Sequence, residues 1–148
     1  MFIFQADKTK QYTIPGHSVP IAALGGFILF LGFLAFNGGS QLAIVSGPDD
    51  AAAVAIVFMN TILGGAGGAI AALGTNWTNH TLRKGKVAYW SLLTCINGGL
   101  AGMVALCAGC NVLHPGAAFA IGIIGGFTMY WVSNVLKRLG VDDPLGKK

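Results

Sequence analysis

The sequence contains no glutamate; its acids are the five aspartates Asp7, Asp49, Asp50, Asp142 and Asp143. Charged residues of either sign make up 9% of the 148 positions, where a soluble domain carries about a quarter. That shortage excludes an ordinary soluble domain, and a mean hydropathy of +0.68 places the chain in lipid. Ionisable side chains are also missing from the centre of every long apolar run. Such groups mark proton relays and ion paths, so these residues carry no proton-coupled machinery of their own. No acid–base pair, nucleophile with a base, or cofactor loop accompanies them, and the chain reads as a non-enzyme without cofactor. The net charge of +4 does not form a nucleic-acid surface, because the basic residues flank apolar runs instead of lining one patch. Cysteine is scarce too: Cys95, Cys107 and Cys110 all fall in or beside one apolar run. Cys107 and Cys110 form a CxxC, but without a second such pair they read as buried structural thiols, not as a metal or redox site.

What is abundant is apolar length and glycine. A membrane helix needs about 20 mostly apolar residues to cross about 30 Å of hydrocarbon. Four stretches qualify, over about 20–42, 51–74, 90–108 and 115–137. Ser18 is the expected N-cap of the first, with Pro20 in its opening turn, where a missing N–H costs little. Asp49 and Asp50 announce the second, at the end of a helix that favours acids. The fourth begins at Pro115 and ends on Lys137-Arg138-Leu139-Gly140, cationic last-turn residues followed by a stop. The first 18 residues are mixed or polar with Lys8 and Lys10, so they do not read as a cleavable leader. An independent check follows from loop charge. All nine basic residues fall in the N-terminal tail, the loop holding Arg83, Lys84 and Lys86, and the C-terminal tail; the opposite loops have none. Tails 1–19 and 138–148 are therefore expected in the cytoplasm. Asn76-Trp77-Thr78 and Asn79-His80-Thr81 fit the glycosylation pattern, but they lie on that same side and are expected to stay unmodified.

Twenty-three glycines would weaken a soluble bundle, since each costs about 1 kcal/mol in a helix relative to alanine. In lipid, small residues let backbones touch where no hydrophobic drive exists. Gly64 and Gly68, Gly98 and Gly102, and Gly122 and Gly126 each recur four apart, so each pair shares a helix face and predicts close helix crossing. The polar groups inside the runs are neutral, among them Asn60, Thr61, Thr94, Asn97, Thr128, Ser133 and Asn134. Each is open to two readings, an interhelical hydrogen bond or the lining of a neutral pathway.

Ordered motifs then carry a resemblance. "PGHSVPIAALGGFILFLGFLAFNGGS" (Pro15–Ser40) resembles the entry and G-W-F-G-F-N-x-G-S pattern of the ammonium transporter (Amt/Mep/Rh) family. "FMNT" (Phe58–Thr61) is similar to its F-V-N-T, "GGLAGMVALCAGC" (Gly98–Cys110) to its A-G-L-V-x-I-T-x-A-x-G, and "LKRLGVDDP" (Leu136–Pro144) to its L-K-x-x-x-x-V-D-D-P. The wording is nearest to animal-type members, and the match covers roughly the sixth to ninth of eleven spans. The resemblance implies an all-α polytopic membrane protein, four transmembrane helices of an ammonium-transporter fold, with ammonium or ammonia as transported substrate, the bilayer as surroundings and a homotrimer in the complete protein. By matched position, Phe36 corresponds to a gate phenylalanine and Ser40 to a hydroxyl at the outer vestibule, with Asn37 between them on the substrate pathway. Asn60 and Thr61 correspond to polar structural positions of a pore helix; no metal is implied.

The chain departs from the pattern at Gly32-Phe33-Leu34-Ala35-Phe36-Asn37, which lacks the family's Trp and inner Gly. His17, His80 and His114 sit at membrane edges and match neither of the two facing pore histidines. The expectation is a fragment of an ammonium transporter that does not conduct when isolated. The alternative is a non-transporting subunit that co-assembles with full-length relatives and regulates them. An unrelated four-span transporter acting as a dimer would require a charged coupling residue, which is absent.

Overall fold

Ser18 opens the first helix as its side chain predicts, accepting the Ile21 N–H at 3.5 Å with Pro20 in the first turn. The structure is a computed structural model that describes residues 18–42, 47–83 and 90–138. Among these residues the elements are all helical: α1 (Val19–Gly39), α2 (Pro48–Thr78), α3 (Leu92–Leu106) and α4 (Pro115–Arg138), with a π-helical turn Asn79–Arg83 extending α2. Three stretches, Val19–Gly39, Asp49–Leu82 and Pro115–Leu136, are long and apolar enough to cross a membrane. The basic tails, and the side chains of Arg83, Lys137 and Arg138, lie outside what is described.

Two boundaries differ from the hydropathy reading. α3 has 15 residues, about 22 Å at a rise of 1.5 Å per residue, because Ser91 caps it by accepting the Thr94 N–H at 3.3 Å. Beyond Leu106 the chain tightens into i→i+3 turns: Cys107 N–H to Val104 O, Gly109 N–H to Leu106 O and Val112 N–H to Gly109 O, at 3.0–3.2 Å. α2 instead runs past Gly74, since its polar residues satisfy themselves on the helix. Thr75 donates to Ala71 O at 2.6 Å and Thr78 to Thr75 O at 3.0 Å. Helix end and apolar end are thus separate quantities. Both asparagines of the sequon patterns are engaged here: Asn76 is buried and Asn79 donates to the Tyr130 hydroxyl at 3.1 Å.

The core sits where α2, α3 and α4 cross, and glycine makes the crossing. A β-carbon on Gly68 would strike Gly98 O and lie 2.9 Å from Gly102 Cα; one on Gly102 would strike Gly64 O. From the other side, β-carbons on Gly122 and Gly126 would meet the backbones of Gly64 and Gly68. All six glycines paired in the sequence therefore converge on one junction, with α2 held between α3 and α4. Around it Val57, Ala72, Met103, Leu106 and Ala118 are fully buried. α1 leans on this core through fewer places: Ile96 beside Gly26, Phe30 beside Gly65 and the Phe58 ring against Gly38. Its remaining surface, including Phe27, Leu31 and Phe36, is exposed.

Candidate functional site

The end of α1 sorts the predicted pathway residues onto two sides. Phe36 is 62% exposed, stacked edge-on against Phe33 at a centroid distance of 6.4 Å. Ser40, also exposed, ends the helix and donates its hydroxyl back to Phe36 O at 2.8 Å. Spending its proton this way leaves the Ser40 oxygen with lone pairs directed outward. Phe36 and Ser40 thus form one exposed unit, a ring and a hydroxyl oxygen one helical turn apart. Gly39 beside them has open space around it, and Gly38 is the position that admits the Phe58 ring.

Asn37 points the other way. It is 1% exposed, and its amide nitrogen donates to Thr61 Oγ1 on α2 at 3.1 Å. Thr61 in turn donates to Val57 O at 2.7 Å, so its oxygen can serve Asn37 only as acceptor, which fixes the orientation of the Asn37 amide. Of the residues read onto the pathway, the structure brings Phe36 and Ser40 together and puts Asn37 into the α1–α2 contact.

Asn60, one residue before Thr61, does something the sequence did not disclose. Its amide nitrogen donates at 2.8 Å to both Cys110 O and Leu113 O, the carbonyls of the connection between α3 and α4. That connection then feeds into α4, where His114 Nδ1 accepts the Gly116 N–H at 3.2 Å. The signal available in the sequence was a buried amide in an apolar helix, which must find partners; the partners lie 50 and 53 positions away. The amide oxygens of Asn37 and Asn60 are enclosed without a donor among the described residues.

This polar layer gives an asymmetric prediction. Thr61→Val strands an enclosed amide N–H and should cost about 1–3 kcal/mol. Asn37→Leu removes donor and orphan oxygen together and should cost less, although it deletes the same hydrogen bond. Denaturation of the two variants in detergent, followed by circular dichroism, orders them; the reverse order would contradict the assignment.

Described residues whose elements are all helical, with three helices long and apolar enough to cross a membrane and neutral polar groups between them, are those of a multi-pass membrane protein. A profile described as Ammonium Transporter Family matches residues 4–147. The chain belongs to the ammonium transporter family. A Caenorhabditis elegans relative that bears the provisional name ammonium transporter 1 is 49% identical over 139 residues, covering 94% of this chain and 24% of the relative. Ammonium transporter Amt2 of Archaeoglobus fulgidus is 38% identical over 133 residues, covering 90% of this chain and 26% of its own length. Ammonium transporter 1 member 2 of Arabidopsis thaliana is 32% identical over 143 residues, 92% of this chain and 26% of that protein. The chain thus spans about a quarter of the length of these relatives.

Proposed function

We propose that these residues form part of the wall of an ammonium pathway, with Phe36 and Ser40 at its outer end. The observation that carries the reading is their placement: ring and hydroxyl oxygen share the exposed side of α1, joined through the Phe36 carbonyl, in a chain of this family. An aromatic face attracts a desolvated cation by about 0.5–2 kcal/mol, and the free lone pairs of Ser40 accept an ammonium N–H. Asn37, Asn60 and Thr61 serve the same site indirectly, by fixing α1 and the α3–α4 connection to α2. Both termini face the cytoplasm, supported by the one-sided basic residues, and the membrane is the plasma membrane. The complete assembly is a homotrimer, as the family resemblance implies.

Two measurements test this. Vesicles containing only this chain should show no ammonium or methylammonium flux above empty vesicles, since no histidine lies mid-span among these residues. With residues 1–148 substituted for the matching stretch of the Caenorhabditis elegans relative, Phe36→Ala should weaken methylammonium uptake about tenfold, the equivalent of about 1.4 kcal/mol. Ser40→Ala should also lower uptake while Ser40→Thr preserves it. Unchanged uptake in both alanine variants would remove the pathway assignment.

A further inference from the structure

One face of α4 takes no part in the glycine junction. Gly122 and Gly126 press on α2 and Gly125 on α3, while Ala117, Ala120, Ile124, Phe127 and Trp131 are exposed. Spacings of three and four along a helix place those five on one stripe, turned away from the glycines. Carried one heptad past Trp131, the stripe ends at Arg138, the last residue of the helix. Its depth is marked twice. The register of Gly122 on Gly64 and Gly126 on Gly68 sets Trp131 level with Leu73 and Gly74, where the apolar part of α2 gives way to Thr75 and Asn76. Beside Trp131, the Tyr130 hydroxyl accepts the amide of Asn79 at 3.1 Å. Trp131 thus stands where hydrocarbon meets headgroups, the depth that amphipathic rings favour. Arg138 lies about 10 Å further along the axis, and a headgroup layer is about 5–8 Å deep, so a long cationic side chain there has phosphates within its reach. Trp77 and Trp90 lie at this same end and are also exposed. Among the described residues the acids, Asp49 and Asp50, lie at the opposite end.

We propose that this stripe of α4 is a docking site for an anionic phospholipid. One acyl chain lies along Ile124 and Phe127, the Trp131 indole N–H donates to an ester or glycerol oxygen, and the Arg138 guanidinium pairs with the phosphate. A zwitterionic headgroup brings its own cation to the phosphate, whereas an anionic one leaves the phosphate to the arginine. Two features favour lipid over a second copy of the chain. The stripe offers large side chains along most of its length, in place of the small residues that let helices approach, and it ends on a cation at headgroup depth. That the cytoplasmic leaflet supplies the lipid in the cell rests on the placement of the termini proposed above; the binding itself does not.

The test uses the full chain with Trp131 as its only tryptophan, through Trp77→Phe and Trp90→Phe. It is reconstituted in vesicles of phosphatidylcholine and phosphatidylglycerol at about 0.15 M salt, where charges beyond about 8 Å are screened. One lipid or the other carries bromine near the ester end of its chains, and quenching of the tryptophan reads which lipid occupies the stripe. Phosphatidylglycerol should be preferred about fivefold, the equivalent of the about 1 kcal/mol that one basic residue contributes near an anionic surface. Arg138→Gln should bring the two lipids to parity, and Arg138→Lys should keep most of the preference. Lys137→Gln, on another face of α4, should leave it in place. Added salt should erode it in the chain that keeps Arg138, a readout that needs no change at the site. With all three natural tryptophans replaced by phenylalanine, Val112→Trp reports the opposite end and should show no preference. Equal quenching by the two lipids at Trp131, a preference that survives Arg138→Gln, or the same preference at position 112 would overturn the proposal. So would absence of quenching by either lipid together with disulfide crosslinking of Trp131→Cys copies, which would seat a second copy of the chain on the stripe.

Discussion

Gly68→Ala should break the association of α2 with α3, at a cost of about 3 kcal/mol or more, the upper end of overpacking. The added carbon meets Gly98 O and the Gly102 Cα and nitrogen at up to 3.0 Å, all backbone atoms of α3. A side chain in that position could rotate away; a helix backbone moves only as a whole. Gly122→Ala on α4 should behave alike, since its β-carbon meets the Gly64 backbone. The control is Gly32→Ala, where nothing lies within 4 Å. There the helix-propensity gain of about 1 kcal/mol stands unopposed, so the same chemical change should be neutral or stabilising. Thermal denaturation in detergent, read by near-ultraviolet circular dichroism, separates the cases. Similar midpoints for Gly68→Ala and Gly32→Ala would contradict a backbone-to-backbone junction.

Asn60→Leu should be the second severe lesion. It leaves the carbonyls of Cys110 and Leu113 without their donor, each at about 1–3 kcal/mol when enclosed. The damage should concentrate in the α3–α4 connection, because Asn60 is fully buried and both its hydrogen bonds among the described residues go there. Asn60→Asp should be at least as harmful despite its near-identical shape, since a carboxylate offers two carbonyl oxygens no proton. Asn60→Gln retains the amide but displaces it by a methylene, and should fall between the wild type and leucine. Hydrogen exchange at residues 107–113 measures the effect directly: protection should fall sharply in the leucine and aspartate variants and only partly in glutamine. Unchanged protection in Asn60→Leu would show that the turn holds itself.

The glycine junction was legible in the sequence because spacing of four on a helix is a geometric statement, independent of any partner. Gly64 and Gly68 had to share a face; that α3 and α4 both bring their glycine pairs to the backbone of these two residues is a matter of helix arrangement, which spacing does not state. Ser18, Pro20, Asp49 and Asp50 were legible for a similar reason, since N-cap and first-turn preferences are local. The end of α2 was not. Hydropathy reports where lipid ends, while Thr75 and Thr78 bond to their own helix and let it continue. The candidate site divided along the same line. Phe36, Asn37 and Ser40 were picked by motif, but consecutive letters cannot say which way adjacent side chains face, and Asn37 turned inward to Thr61. Asn60 was open to two readings, an interhelical hydrogen bond or the lining of a pathway, and carbonyls contribute no letter to a sequence, so its grip on Cys110 and Leu113 was invisible.

The unequal helix lengths have a mechanical outcome for the surrounding lipid. The continuous stretch Asp49–Leu82 has 34 residues, about 51 Å along its axis, and it is riveted to an α3 less than half as long. The polar residues of α2 past Gly74 stand clear of the hydrocarbon, so the length that the bilayer must accommodate is the short one, and it thins beside α3. Membranes of different thickness should therefore strain this bundle unevenly around its perimeter.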